Sequence, residues 1–143
     1  MVTAAPAAGY SATPLPRKLG IKPGARLALL GAPEGFAQDV LGELPPGVRI
    51  SRSARGRFDV IVAFALRRAE VERRLAAGKA ALEQDGGLWL AWPKRASGVA
   101  TDLAEGVVRE LGLAAGLVDN KVCAIDATWS GLRFVYRVAD RTR

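Results

Sequence analysis

The stretch Gly87–Val138 reads GLWLAWPKRASGVATDLAEGVVRELGLAAGLVDNKVCAIDATWSGLRFVYRV. It contains every tryptophan of the chain and its single cysteine. Leu88 to Trp92 is apolar without alternation, the pattern of a strand covered on both faces, and Pro93 closes it. After a loop from Lys94 to Ala100 a helix is expected. Thr101 or Asp102 stands as its N-cap, and Asp102 with Glu105 makes an Asp form of the capping box. Leu103, Val107 and Leu111 recur on one face, and Gly112 is the expected stop. Lys121–Ala127 and Leu132–Val138 then read as two strands joined at Thr128-Trp129-Ser130-Gly131. In the second, Leu132, Phe134, Tyr136 and Val138 alternate with Arg133 and Arg137, as suits a strand near a sheet edge with one solvated face. Asp119-Asn120-Lys121 and Asp126 are open to two readings, a polar site or a turn and a hairpin flank, and the second is favoured because Asp and Asn are turn formers.

Upstream, Arg26–Leu30 is a second non-alternating apolar run, followed by Gly31-Ala32-Pro33-Glu34-Gly35. Pro33 fits the first position of a helix whose apolar face is Phe36, Val40 and Leu41, ended by Leu44-Pro45-Pro46-Gly47. Val48–Ile50 is a weak strand. Phe58–Phe64 is the strongest, β-branched and apolar nearly throughout. Arg67–Glu83 predicts a helix with Val71, Leu75, Gly78 and Leu82 on one face and a Glu70–Arg74 ion pair on another. Residues 1–13 lack periodicity and are expected to form a flexible tail, with one domain over 14–143. Leu15–Ile21 is a short turn or helix. Strands alternating with helices, then a hairpin, specify an α/β layered domain.

Half of the residues are apolar and 24% are charged, so a packed core is expected. The N-terminus has neither a basic region nor a continuous apolar core, so it makes a poor signal peptide, and no apolar run is long enough to span a membrane. With the lone Cys123, these features suit a cytoplasmic protein with no membrane partner. The chain has no histidine, which removes the commonest general base and metal ligand. No metal-ligand spacing exists, Ser97 and Ser130 have no base partner, and Cys123 in a strand reads as a buried structural thiol. The net charge of +7 is open to two readings, a polyanion partner or a surface tuned for solubility.

The order of elements resembles the Rossmann-like methyltransferase fold, in which a parallel sheet ends in an antiparallel hairpin. KPGARLALLGAPEG is similar to its first strand and loop, RFDVIVAF to its central strand, and LEQDGGLWLAW to its helix–Gly-Gly–strand step. The expected fold class is thus α/β: a Rossmann-like three-layer domain with a mostly parallel sheet of about six strands. Six follow because Ile50 to Phe58 leaves no room for the helix and strand that this fold usually inserts. The resemblance implies a Gly-x-Gly-x-Gly first loop and an acidic residue after the second strand, both serving S-adenosylmethionine. This chain has Gly31-Ala-Pro-Glu-Gly35 and Ser51-Arg52-Ser53 there. Gly9-Tyr10-Ser11, Thr13-Pro14-Leu15, Lys18-Leu19-Gly20-Ile21, LWLAWPK, TDL, GLVDNKVCAID and TWSGLRFV together resemble a bacterial family, domain of unknown function 3052. That family brings no catalytic residues to carry over.

Ligands of open α/β sheets bind beyond the carboxyl ends of the parallel strands. The candidates there are Gly31, Glu34 and Gly35 in the first loop, and Arg52 and Arg67 after the second and third strands. Trp92, Lys94, Arg95, Ser97, Thr101 and Asp102 join them from the fourth strand and its loop. Trp92 is open to two readings, a stacking platform or a cover for the sheet. With Arg55, Arg57 and Arg68, seven cations are expected on this rim beside two helix N-termini. The first functional reading is therefore a non-catalytic binding or regulatory module for an anionic, phosphate-bearing small molecule. The alternative is an S-adenosylmethionine-dependent methyltransferase, and the third reading is nucleic-acid binding through Arg49–Arg57. Catalytic residues, cofactor and oligomeric state are not legible.

Overall fold

A computed structural model describes residues 13–141. The tail expected over 1–13 falls outside these residues except for Thr13. Among the described residues the helices are α1 (Leu15–Lys18), α2 (Arg68–Ala81) and α3 (Glu105–Ala114). The strands are β1 (Arg26–Leu30), β2 (Arg49–Ser51), β3 (Phe58–Phe64), β4 (Leu82–Pro93), β5 (Leu117–Ala124) and β6 (Trp129–Tyr136). They form one six-stranded sheet in the order β2-β1-β3-β4-β6-β5. The first four strands pair in parallel, and β6 runs antiparallel to both β4 and β5. This is the expected six-stranded Rossmann-like α/β fold.

The sheet is covered on both faces, which explains the unbroken apolar strands. On one face α2 and α3 pack Val71, Leu75 and Val108 against Ala28, Ile61, Ala63, Leu90, Leu132 and Phe134. On the other, Leu19, Ile21, Phe36 and Leu41 cover Leu27, Leu29, Val62, Trp89 and Cys123. The Trp89 indole N–H, fully buried, donates to Leu19 O at 3.0 Å and ties the N-terminal layer to β4. No helix among the described residues is long and apolar enough to cross a membrane.

Several local expectations give way to packing. Pro33 does not start a helix. Gly35 is left-handed (φ 80°) and interrupts the chain there, and only a π-helical turn forms over Phe36–Leu41. Neither Thr101 nor Asp102 caps α3; its N-cap is Ala104, with no side-chain bond. Val108 and Gly112 are the buried positions of α3, whereas Val107 and Leu111 are partly buried. Gly112 lies inside the helix, and the chain turns at Gly116 (φ 91°) instead. Helix α2 ends earlier than expected, at Ala81, because Leu82 already pairs with Phe58.

The hairpin also differs from expectation. Asp119-Asn120-Lys121 is a register shift within β5, not a turn between elements. Asp126 flanks the hairpin as expected: its carboxylate accepts the Thr128 and Trp129 N–H groups at 2.8 Å each. Strand β6 is interior and β5 is the edge, and Arg133 is half-buried, its guanidinium donating to Asn120 Oδ1 at 3.3 Å.

Candidate functional site

The chain leaves β1 for β2 on one side and returns to β3 on the other. The strand order therefore reverses between β1 and β3, and their carboxyl ends, Leu30 and Phe64, bound the crevice where this architecture receives ligands. Gly31 follows β1 with φ 69°, a conformation open chiefly to glycine. Arg74 reaches this point from the second turn of α2. Its Nε–H donates to Phe64 O at 3.1 Å. A Cβ on Gly31 would lie 2.2 Å from Arg74 Nη2, so the guanidinium fills the space above the glycine.

The loop from Ala65 to Arg68 is fully occupied as a donor surface. Leu66 and Arg67 N–H donate to Glu70 Oε1 at 2.7 and 3.1 Å, and Arg68 N–H donates to Asp102 Oδ1 at 3.1 Å. The Leu66 N–H is the largest influence on Glu70. With the Arg67 N–H and the charges of Arg74 and Arg73, it holds the carboxyl below its usual range against slight burial. The Thr101 hydroxyl donates to Leu66 O at 2.6 Å and accepts from Leu103 N–H at 3.1 Å. Thr101 and Asp102 thus pin the loop after β4 onto the end of β3.

The remaining candidates divide into exposed and internally bonded groups. Glu34, Arg52, Arg67, Arg95 and Asp102 are exposed, and Gly35 and Lys94 are half-buried. The Ser97 hydroxyl donates to Lys94 O at 2.7 Å and accepts from Val99 N–H at 3.2 Å, closing its own turn. Trp92 is 5% exposed, within the core under α2 and α3. Ser51 exchanges hydrogen bonds with Ser53, and no carboxylate follows β2. Arg57 does not join the expected rim: it precedes β3 and donates to Ala80 O at 3.2 Å, at the amino ends of the strands.

Sequence reasoning missed Arg74 and misassigned its neighbour. Glu70 and Arg74 do not pair: the carboxylate turns to the backbone and the guanidinium to Phe64 O. One available signal was the tilt of helical side chains toward the N-terminus, which aims a long residue in the second turn back over the preceding strand. An aromatic group beneath the crevice was also missed. Phe64 meets Phe36 and Trp129 edge-on, with ring centroids 4.9 and 5.0 Å apart. A groove of about 700 Å³ lies elsewhere, between the C-terminal halves of α2 and α3.

Comparison with known proteins gives fold likeness without close relatives. No family model and no curated protein matches the chain. The Methanococcus jannaschii fibrillarin pre-rRNA processing protein superposes with TM-score 0.60 at 13% identity, over 88% of this chain and 70% of that one. A SAM-dependent methyltransferase from Aquifex aeolicus gives 0.61 at 14% identity, over 82% and 85%. Aeropyrum pernix fibrillarin, solved with natively bound S-adenosyl-L-methionine, gives 0.57 at 17% identity, over 80% and 68%. These likenesses overturn the first functional reading, a non-catalytic module with an anionic, phosphate-bearing partner. The geometry agrees, because the amides expected to receive an anion already bind Glu70 and Asp102. The chain has the Rossmann-like fold of S-adenosylmethionine-dependent methyltransferases.

Proposed function

We propose that this chain is a methyltransferase-type protein that takes S-adenosylmethionine at the carboxyl ends of β1 and β3. The observation that carries the reading is the strand order, which reverses at Gly31 in a sheet like that of fibrillarin with the methyl donor bound. In the conformation described here the crevice does not fit that molecule. Arg74 fills the space over Gly31, and Ser51 and Arg52 stand where a carboxylate would accept ribose hydroxyls. No chemical step is therefore assigned to individual residues.

Calorimetric titration with S-adenosylmethionine and its demethylated product tests the reading. Saturable binding of one equivalent is expected, with stabilisation of about 2.7 kcal/mol at a hundredfold excess over Kd. Absence of heat and of thermal stabilisation at millimolar ligand overturns it.

Membership of domain of unknown function 3052 and a bacterial, cytoplasmic setting belong to the same proposal. Their support is the segments Gly9–Ile21, LWLAWPK and TWSGLRFV and the lone, buried Cys123.

A further inference from the structure

We propose that the outer edge of β2 is a docking strip for an acidic, extended segment of another protein, which adds a strand to the sheet there. The connection from Ser51 to Phe58 carries no strand, so β2 has one neighbour, β1, and ends the sheet. Arg49 N–H donates to Ala25 O at 3.0 Å, which turns the backbone groups of Arg49 toward β1. Backbone direction alternates along a strand, so Ser51 also faces β1, while the Ile50 N–H and C=O point away from it. The Ile50 side chain is 39% exposed at the same point. An incoming strand finds there a donor, an acceptor and an apolar contact.

Charge decides what can dock. Between Glu43 and Asp59 the chain has four arginines and no acid. Arg49, Arg52 and Arg55 are exposed and form no ion pair among the described residues. Arg26, the β1 partner of Arg49, already holds Asp59 and Glu83 at 3.3 and 2.7 Å. The strip is therefore cationic without an internal counter-charge and complements a segment rich in Asp and Glu. A second copy is disfavoured, because joining two β2 edges sets the same arginines against each other. A nucleic acid is disfavoured because none of the exposed large apolar side chains among the described residues is aromatic, which leaves its bases no platform.

The test uses the full chain and a fluorescent synthetic peptide in which glutamate alternates with valine, followed by polarisation at low salt. Amide exchange at Ile50 is measured by NMR with and without the peptide. The expected result is saturable binding that weakens as salt is raised, with exchange at Ile50 slowed about tenfold or more at saturation. Arg52→Glu combined with Arg55→Glu should weaken binding about tenfold or more. Ile50→Pro should do the same, because the ring removes the outward N–H and leaves the inward bonds of Arg49 and Ser51 in place. If circular dichroism shows Ile50→Pro unfolded, the exchange measurement on wild type decides. No binding at millimolar peptide overturns the proposal. Binding with exchange at Ile50 unchanged also overturns it, since charge then attracts the peptide without a strand forming. Tighter binding of a single-stranded DNA of equal charge overturns it in favour of a nucleic acid. A dimer in ultracentrifugation that Ile50→Pro dissociates overturns it in favour of a second copy.

Discussion

The ring of Phe134 lies where a side chain on Gly112 would begin: a Cβ there would sit 2.0 Å from Phe134 Cε1. Both residues are buried, and the ring is fixed between α3 and the sheet. Gly112→Ala gains helix propensity of roughly 1 kcal/mol but must displace the ring or the helix, which costs more. A net loss of about 1–2 kcal/mol is expected, read as a lower urea midpoint with an unchanged slope. An unchanged midpoint means that α3 shifts freely on β6.

Asp102 is expected to act as a remote cap for α2. Its carboxylate accepts the Arg68 N–H, the first amide of that helix, from 34 positions away. Asp102→Ala should cost about 0.5–2 kcal/mol in urea unfolding, and Asp102→Asn, which keeps an acceptor, less. Equal costs would show that the charge, not the hydrogen bond, matters. The Pro93–Asp102 loop should also become more open to proteases in Asp102→Ala.

Acid should weaken the fold through two carboxyls. Burial is the largest influence on Asp59 and opposes its ionisation, but hydrogen bonds from the Arg26 backbone and side chain, with the Arg26 charge, bring the net shift downward. Glu70 is lowered by the Leu66 and Arg67 amides. A carboxyl lowered in the folded state stabilises that state at pH values above its unfolded pKa. The contribution disappears as pH falls through the lowered folded value. The urea midpoint should hold down to roughly pH 5 and then decline, with Asp59→Asn and Glu70→Gln each flattening the decline.

Cys123 should be slow to react. Burial raises its thiol pKa and outweighs the opposing charges of Lys18, Lys121 and Lys94. Labelling by an aromatic disulfide at pH 8 is expected to be roughly a hundredfold slower in the native chain than in urea. Comparable rates would place Cys123 at the surface.

Where the environment is set along the chain, the sequence reads well. Apart from the ion-paired Arg26 and Asp59 near their amino ends, Phe58–Phe64 and Arg26–Leu30 are apolar on both faces because both faces are covered, and their bounds match the observed strands. The missing helix and strand between Ile50 and Phe58 were legible as a shortage of residues. Positions whose environment comes from across the fold were not. Gly112 resembles a helix stop until Phe134 is seen against it, and Asp102 resembles a cap for the next helix until Arg68 N–H is found to claim it. Arg74 was misassigned for the same reason. Its i,i+4 partner is visible in the sequence, but the carbonyl of Phe64 and the bare backbone of Gly31 beside it are products of strand pairing.

The bond from Trp89 to Leu19 has a consequence for biosynthesis. The partners are 70 positions apart, and Leu19 leaves the ribosome first. Leu19 and Ile21 can already pack against Leu27, Leu29 and Val62 of β1 and β3, but the part of their layer that covers β4 has no partner until that strand has emerged. Translation must pass Trp89 before the N-terminal layer can be tied to β4, and a nascent chain paused short of that residue offers chaperones the part of this face that β4 covers in the finished protein.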